Sequence, residues 1–434
     1  MEKVNVILDP ASTHGEELTL CPNFNLYTGK NQFETEFGEV TSLEEDLLNL
    51  GAVIFGTDLA IRRGQREQIT RNIELTIPVV NLPTFRSISE EIRYALYILS
   101  HDAWKINFVQ SPGQPEATRD WGSQMVGKVL LFSGGLDSFS AAVKLGDAHH
   151  DIQLVSHVTA NPVVSKTQEE LFTYLDQTYP HQFQRNAFRV SGISKPSLGL
   201  LFPSDKNREE TQRTRSFMFL SLAGLVARRR GYKDIVMIAE NGQMAIHLPL
   251  SAARISAFST HTAHPSFVSA MSKILSTILN YQISIENPFL YLTKAEVIKD
   301  LFPQHKSSVE KTVSCWKASR VSHFNHCGIC IPCLVRRIAI EKNGYSFSEY
   351  EHDLLNDTIL ALGPDDEGKR NLVELCEFIS VFLKDKSLAE LMQLYPELAN
   401  SDFDITKAVG MYKRFANEAM QVFQNYPQVI SLME

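Results

Sequence analysis

No apolar run in this 434-residue chain comes near the ~20 residues a helix needs to cross a bilayer. The longest candidate, Phe217 to Ala227, contains Ser221 and Gly224 and is flanked by Arg215 and Arg228, so a buried helix accounts for it better. The opening residues, Met1-Glu2-Lys3-Val4-Asn5, hold no apolar core of the kind a secretory signal carries; a cytoplasmic protein with no membrane partner is therefore expected. An excess of positive charge is lacking too: 42 Lys and Arg against 50 Asp and Glu leave a net charge of -8, with no evident polybasic stretch. That speaks against a dedicated polyanion binder and makes nucleic acid an unexpected partner. Cysteine is scarce, six residues in all, but Cys315, Cys327, Cys330 and Cys333 share one short segment, leaving only Cys21 and Cys376 isolated. In a large cytosolic chain such a cluster points to metal before disulfides. The Walker pattern, four residues between two glycines and then Lys-Ser/Thr, does not occur, which removes the commonest phosphate-binding loop. With 44% hydrophobic and 21% charged residues, what remains is an ordinary globular chain, long enough for about two to three domains.

What the chain does contain is Lys128-Val129-Leu130-Leu131-Phe132 followed by Ser133-Gly134-Gly135-Leu136-Asp137-Ser138 and then by a helical run, Phe139 to Leu145. A strand, a glycine turn and a helix start form an anion site. The first amides of the helix have no internal partner, the helix dipole adds partial positive charge, and glycine lets the backbone approach an oxyanion. Ser133 and Ser138 add hydroxyl donors, and Asp137 is placed to hold Mg²⁺ or to position a nucleotide.

Before this stretch, residues 1–125 read as an α+β accessory domain. Its strand-like pieces are Val4 to Leu8, Phe24 to Tyr27 and Gln32 to Phe37, and its helical pieces lie near Leu43 to Leu50 and Ser87 to Leu99. Arg62, Arg63, Arg66 and Arg71 make a basic cluster with two readings, a solvated helix face or a contact with nucleotide or partner. Ser111 to Pro115 reads as a linker. From residue 126 to 344 strands alternate with helices, with strands expected at Ile152 to Val158, Ala187 to Val190 and Asp234 to Ala239 and helices at Gln168 to Thr178 and about Thr211 to Arg230. That alternation implies a parallel sheet covered on both faces, with ligands beyond the carboxyl ends of its strands. The glycine loop lies at one such end and Glu240-Asn241-Gly242 at another. Arg213 and Arg215, at the start of the long helix, have the geometry for bidentate phosphate or carboxylate contacts, or are simply helix-start charge. Glu240 to Phe267, with His247, His261, His264 and Arg254, reads as an irregular loop whose histidine spacing fits no metal motif. A helix is expected from Ser266 to Leu279, and Thr293 with Glu296 makes a capping box. Residues 345–434 are helix-patterned, with Cys376 in the apolar stripe.

The spacing Cys315-x11-Cys327-x2-Cys330-x2-Cys333 suits four thiolates around tetrahedral Zn²⁺ in a closed, structural site; a four-cysteine iron–sulfur cluster is the alternative.

The pattern Ser-Gly-Gly-x-Asp-Ser after an apolar strand resembles the PP-loop of the N-type ATP pyrophosphatases. With the segment Arg215 to Ala223, the stretch Leu292 to Glu296 and the four cysteines, the chain from Lys128 to Asn343 resembles the 7-cyano-7-deazaguanine synthase (QueC) family. The resemblance implies an adenine nucleotide alpha hydrolase-like (PP-loop) α/β fold with a zinc module, extended here by the N-terminal α+β and C-terminal helical regions. It implies ATP, Mg²⁺ and Zn²⁺ as cofactors and a 7-carboxy-7-deazaguanine-like substrate. ATP would adenylate the carboxylate, pyrophosphate would leave, and an amine would displace AMP to give an amide and then a nitrile. Catalysis is expected at Asp137, Ser138, Arg215 and Lys294. Nucleotide binding is expected at Ser133, Gly134, Gly135, Leu136, Asp137 and Ser138 and at Glu240, Asn241 and Gly242. The two added regions resemble those of the QueC-like component of the Qat anti-phage defence system (QatC), which implies partner proteins from a defence operon and conjugation to one of them as a possible outcome. In place of the family's substrate loop the chain has Asn241-Gly242 and Thr262-Ala263-His264-Pro265, so the family's product and nucleophile do not carry over automatically. Competing readings are a tRNA-modifying PP-loop enzyme and a nucleotide-binding scaffold without turnover.

Overall fold

In the computed structural model the described residues are all except 1, 13–16, 65–69, 119–125, 160–161, 233–235, 251–260, 319–320, 322–323, 347–349, 357–358, 364 and 434. Arg66 and Arg254 lie outside them. The first 110 residues contribute β1 (Glu2–Val6), β2 (Leu18–Leu20), β3 (Leu26–Thr28), β4 (Asn72–Val79) and β5 (Ala103–Gln110). Four of these form a sheet in the order β2-β1-β4-β5, parallel throughout. In β4 the side chains of Ile73, Leu75, Ile77 and Val79 are buried while those between face outward, the alternation of a half-covered strand. Neither β4 nor β5 was among the strand-like pieces read from the sequence.

The second sheet is built from β6 (Gly127–Leu131), β7 (Asp151–His157), β8 (Phe183–Phe188), β10 (Val236–Met237) and β11 (Ile285–Glu286); β9 (Val190–Gly192) leaves it to pair antiparallel with β3. Its order is β11-β10-β6-β7-β8, again all parallel. The chain starts in the middle, at β6, runs outward through β7 and β8, and returns to the other side for β10 and β11. The order therefore reverses between β6 and β10, and loops leaving the carboxyl ends of those two neighbours must meet there. The α/β parallel-sheet class expected from the sequence is the one observed, and the C-terminal region is helical, including Glu367–Leu383 and Ile405–Phe423.

Gln32 to Phe37, expected as a strand, is part of the helix Lys30–Phe37. Phe33 and Phe37 fit both a two-residue and a four-residue period, and left-handed glycines at 29 and 38 bound the segment as helix. In the basic cluster Arg63 and Arg71 are neither on a solvated face nor free for ligand. Arg63 donates to both carboxylate oxygens of Asp102 at 2.6 and 2.7 Å, and Arg71 donates to Asp102 and Asp58 at 2.6 and 2.5 Å, all with buried side chains. Only Arg62 among the described members is exposed.

The helix Arg215–Arg230 packs on β6 and β7 of the second sheet and against the helix Ser42–Ala60; a Cβ on Gly51 would stand 3.2 Å from Ser221. Arg229 donates to Glu44 at 2.6 Å and Asp58 accepts from the Thr214 backbone at 2.9 Å, so buried charge locks the two helices together. The helix begins at Arg215 rather than Thr211, because Gln212 takes a left-handed φ of 47°. One apolar cluster runs through both sheets and this helix.

Candidate active site

The loop after β6 carries Ser133, Gly134 and Gly135 into the helix Leu136–Asp147. Gly134 sits at φ 80°, and a Cβ there would stand 3.2 Å from Thr167 and Gln168, so glycine is required both by conformation and by space. Gln168 donates to the Ser133 carbonyl at 3.2 Å, and the Val313 amide donates to the Gly134 carbonyl at 3.1 Å. The Gly135 amide donates to Ser133 Oγ at 3.2 Å, and Ser138 Oγ donates to the Gly135 carbonyl at 3.0 Å. Gly135 is the N-cap of the helix and has no side chain to occupy its first amides, which leaves that end able to take an oxyanion.

Asp137, in the first turn, is buried. Its Oδ2 accepts from Lys294 Nζ at 2.9 Å and Asn241 Nδ2 at 2.8 Å, whereas its Oδ1 is buried with no hydrogen-bond partner. Asn241 reaches it from the loop after β10, the neighbour of β6, and caps the short helix Gly242–Ile246 through its own side chain. Gly242 is fixed by closeness, since a Cβ would meet the Leu290 carbonyl at 2.3 Å. Lys294 opens the helix Lys294–Ile298, whose N-cap Thr293 and Glu296 form the expected capping box.

Glu240 completes the group. Burial raises its carboxyl to about 8, and the neighbouring Asp137 charge adds to that, against the pull of Lys294. Burial also works to raise Asp137, but Lys294 and Asn241 outweigh it and hold Asp137 ionised. Two carboxyls thus share one proton next to one ammonium, the protonated Glu240 bonding to Asp137. This donor set fits a divalent cation, which would replace the shared proton. A pH test follows from the raised value. Between about 4.5 and about 8 the folded state keeps the Glu240 proton that the unfolded state has lost, so this stabilisation is present at low pH and lost as pH rises. The stability of the wild type relative to Glu240→Gln is expected to decline across that window, by thermal unfolding at each pH, and added Mg²⁺ is expected to narrow the decline. A difference flat with pH would show that Glu240 is already ionised.

Arg215 is placed apart from this group. Its guanidinium lies over Phe219 at 5.5 Å, and burial lowers it to about 10. Burial, with the Arg215 charge second, also pushes the His157 imidazole down to about 3; His157 ends β7. Arg215 is therefore at the carboxyl edge of the sheet, but no hydrogen bond joins it to Asp137 or Lys294. Arg213 turns toward the N-terminal region and donates to the Ser100 carbonyl at 3.1 Å. The expected irregular loop contains the short helix Gly242–Ile246, and the helix expected from Ser266 is Pro265–Leu279. His261 touches His101, His247 and His264 with ring centroids 5.3, 5.8 and 5.3 Å away. Burial lowers His261 to about 2 and His264 to about 4, so these two rings pack neutral.

Among the described residues the group of thiol, imidazole or carboxylate ligands close enough to hold one metal ion is Cys315, Cys327, Cys330 and Cys333, all buried, with sulfurs within 4.8 Å of one another. The Cys327–Cys333 and Cys330–Cys315 sulfurs are 3.9 and 4.0 Å apart, far beyond a disulfide and near the edge of an MS₄ tetrahedron, roughly 3.8 Å for 2.3 Å bonds. The Lys317 and Cys327 amides donate to Cys315 Sγ at 3.2 and 3.4 Å. The module reaches the phosphate loop: Arg336 donates to Thr312 Oγ1 at 2.7 Å and to the Val309 carbonyl at 2.8 Å, fixing the strand of chain whose Val313 amide holds Gly134.

Sequence reasoning missed the supports from outside this region. Glu418 accepts from Thr293 Oγ1 at 2.9 Å, Arg414 donates to Glu296 at 2.7 Å, and the Leu248 amide donates to Tyr412 Oη at 3.2 Å. All three come from one helix, Ile405–Phe423, which braces both the Asn241 loop and the Lys294 helix.

A parallel sheet with a serine–glycine phosphate loop at its switch point, a buried Asp–Lys pair beside it and a four-thiol site behind it defines a PP-loop nucleotide-binding α/β protein. The model of the family described as queuosine biosynthesis protein QueC matches residues 127–344, half of the chain, and the chain belongs to that family. A 7-cyano-7-deazaguanine synthase of Sulfolobus acidocaldarius is 26% identical over 230 residues, which cover 50% of this chain and 46% of that protein. The chain thus matches less than half the length of that relative. No solved structure matches it.

Proposed function

We propose that this protein adenylates a carboxylate carried on a 7-deazaguanine ring, releasing pyrophosphate from ATP, and then passes the acyl group to an amine. The observation that carries the reading is Asp137, with one oxygen held by Lys294 and Asn241 and its carboxylate sharing a proton with buried Glu240 at the start of the phosphate-loop helix. A carboxylate is a poor acyl donor because hydroxide leaves badly. Attack of its oxygen on the α-phosphorus of ATP forms an acyl adenylate and breaks the bond to pyrophosphate, and the amine nitrogen then displaces AMP. The free amides of the first helical turn would receive the oxyanion that accumulates as pyrophosphate leaves, and Ser133 and Ser138, now bonded to Gly135, would turn their hydroxyls to it. Lys294 offsets the charge of Asp137 and presents a second cationic group to the phosphates. Mg²⁺ would be held by Asp137 Oδ1 with Glu240 and would neutralise phosphate charge. Zn²⁺, on four thiolates with no open position, would be structural. Arg215, at the start of its helix and beside His157 at the end of β7, is assigned to the nucleotide side of the sheet edge.

The amine is either ammonia, giving an amide and, with a second ATP, a nitrile, or an amine of a partner protein. The regions on either side of the family match favour the second outcome and a role beside partners in phage defence, as in QatC. Pyrophosphate release from ATP, Mg²⁺ and 7-carboxy-7-deazaguanine, followed by mass spectrometry of products and co-expressed partners, tests this. Release with a nitrile product would restrict the protein to the small-molecule reaction, and a mass increment on a partner would establish conjugation. No release with any carboxylate would leave a nucleotide-binding scaffold.

A further inference from the structure

An apolar cavity lies between the candidate site and the C-terminal helices. One wall is the helix Gly242–Ile246, which begins directly after Asn241, the partner of Asp137. The other walls include Trp316, next to the first cysteine of the metal module, and Phe378, Tyr412 and Phe415 from beyond the family match. Trp316 is 54% exposed at the edge of the cavity. Gln243 in this lining is only 8% exposed, its Oε1 accepts from the Lys294 amide at 3.1 Å, and its Nε2 is buried with no hydrogen-bond partner. A buried donor left unpaired costs about 1–3 kcal/mol, so one lining a cavity marks a place for an acceptor. Aromatic walls with a few polar groups, Gln243 and His247 among them, make a slot for a flat, mostly apolar ring that carries an acceptor on its edge.

We propose that this cavity receives the ring of the carboxylate substrate, a planar, purine-sized heteroaromatic, with Gln243 Nε2 donating to a ring carbonyl or ring nitrogen. The assignment rests on the adenylation reading above. Its strength is the linkage through one side chain: Gln243 would read the ring with its amide NH₂ while its oxygen holds the backbone of Lys294, whose ammonium is on Asp137. Ring and phosphates are then registered against each other by a single bridge. Tyr412 is also held in place: its hydroxyl accepts from the Leu248 amide and donates to the Gln243 carbonyl at 3.5 Å, and its ring stacks on Phe382 at 5.1 Å. Selection among flat carboxylates therefore rests on Gln243 together with the C-terminal helices, which the family match does not reach.

Two variants separate the parts. Gln243→Glu keeps an acceptor for the Lys294 amide and removes the donor; Phe415→Ala opens the slot without touching Gln243. The metal-loaded full chain is assayed for KM with 7-carboxy-7-deazaguanine and with ATP, and calorimetry measures binding of 7-deazaguanine, which lacks the carboxylate. Both variants are expected to raise the KM for the carboxylate by about tenfold and to weaken binding of the ring, with the KM for ATP within about twofold. An active wild type whose variants keep the carboxylate KM and ring affinity overturns the cavity assignment and leaves adenylation standing. An equal rise in the KM for ATP also overturns it, since Gln243 would then act only through Lys294. Ring binding that is lost in Gln243→Glu, in a wild type that never releases pyrophosphate, supports the cavity and defeats the adenylation reading.

Discussion

Asp137→Ala is expected to lower pyrophosphate release by about 10³-fold, the largest effect of any single substitution in the phosphate loop. The side chain does two things at once. Oδ2 holds Lys294 and Asn241, and Oδ1 is the buried oxygen left for a cation. Removing it leaves the Lys294 ammonium buried without its carboxylate, which costs about 3–5 kcal/mol when one partner of a buried pair is deleted. Loss of activity could therefore be read as loss of fold, and the double variant Asp137→Asn with Lys294→Met removes that ambiguity. It takes out both charges and keeps similar shapes, so thermal unfolding should return most of the way to the wild type while pyrophosphate release stays down. Activity that recovers together with stability would mean that the pair only supports the fold.

The phosphate loop was legible because its information is local. A strand, two glycines and a helix start lie within about a dozen residues, and each residue type has its own physical reason to be there. The four cysteines were legible for the same reason, since they lie within one short segment and the fold brings the four thiols together. What could not be read is what the topology assembles. Asp137 and Lys294 are 157 positions apart, and Thr293 and Glu418 are 125 apart. Strand order brings Asn241 to Asp137 because β10 is the neighbour of β6, and the reversal of order that makes them neighbours has no counterpart in composition or period. Gln243 gave no signal because a lone amide between Gly242 and Met244 looks like any helix residue until its partners are known. The arginines misled in the opposite sense: a basic run reads as solvated or ligand-seeking, but Asp58 and Asp102 neutralise it in the interior. Gln32 to Phe37 was misread because two phenylalanines four apart satisfy both periods.

Removing the metal from the four-cysteine site is expected to disable the phosphate loop as well as the module. The argument follows the chain. Cys315 ends the stretch Thr312-Val313-Ser314, and Val313 donates its amide to the Gly134 carbonyl, while a Cβ on Gly135 would lie 3.5 Å from the Val313 carbonyl. Cys333 lies in the first turn of the helix Ile331–Lys342, whose Arg336 holds Thr312 and Val309. An ion on four thiolates ties the two ends of this bracket together, and binding energy of that size, about 10–16 kcal/mol for structural zinc in isolated modules, is folding energy. Cys330→Ser, or a strong chelator, should release the ion, as read by native mass spectrometry. Hydrogen exchange should then rise over the bracket and over Gly134 and Gly135, and ATP affinity should fall by at least about tenfold. The β1–β5 sheet, whose core is separate from the cysteine cluster, should keep its protection. Exchange confined to the module, with Gly134 protected and ATP affinity intact, would show that the Val313 contact does not transmit. Native mass also names the ion, because one zinc and an iron–sulfur cluster differ in both mass and colour.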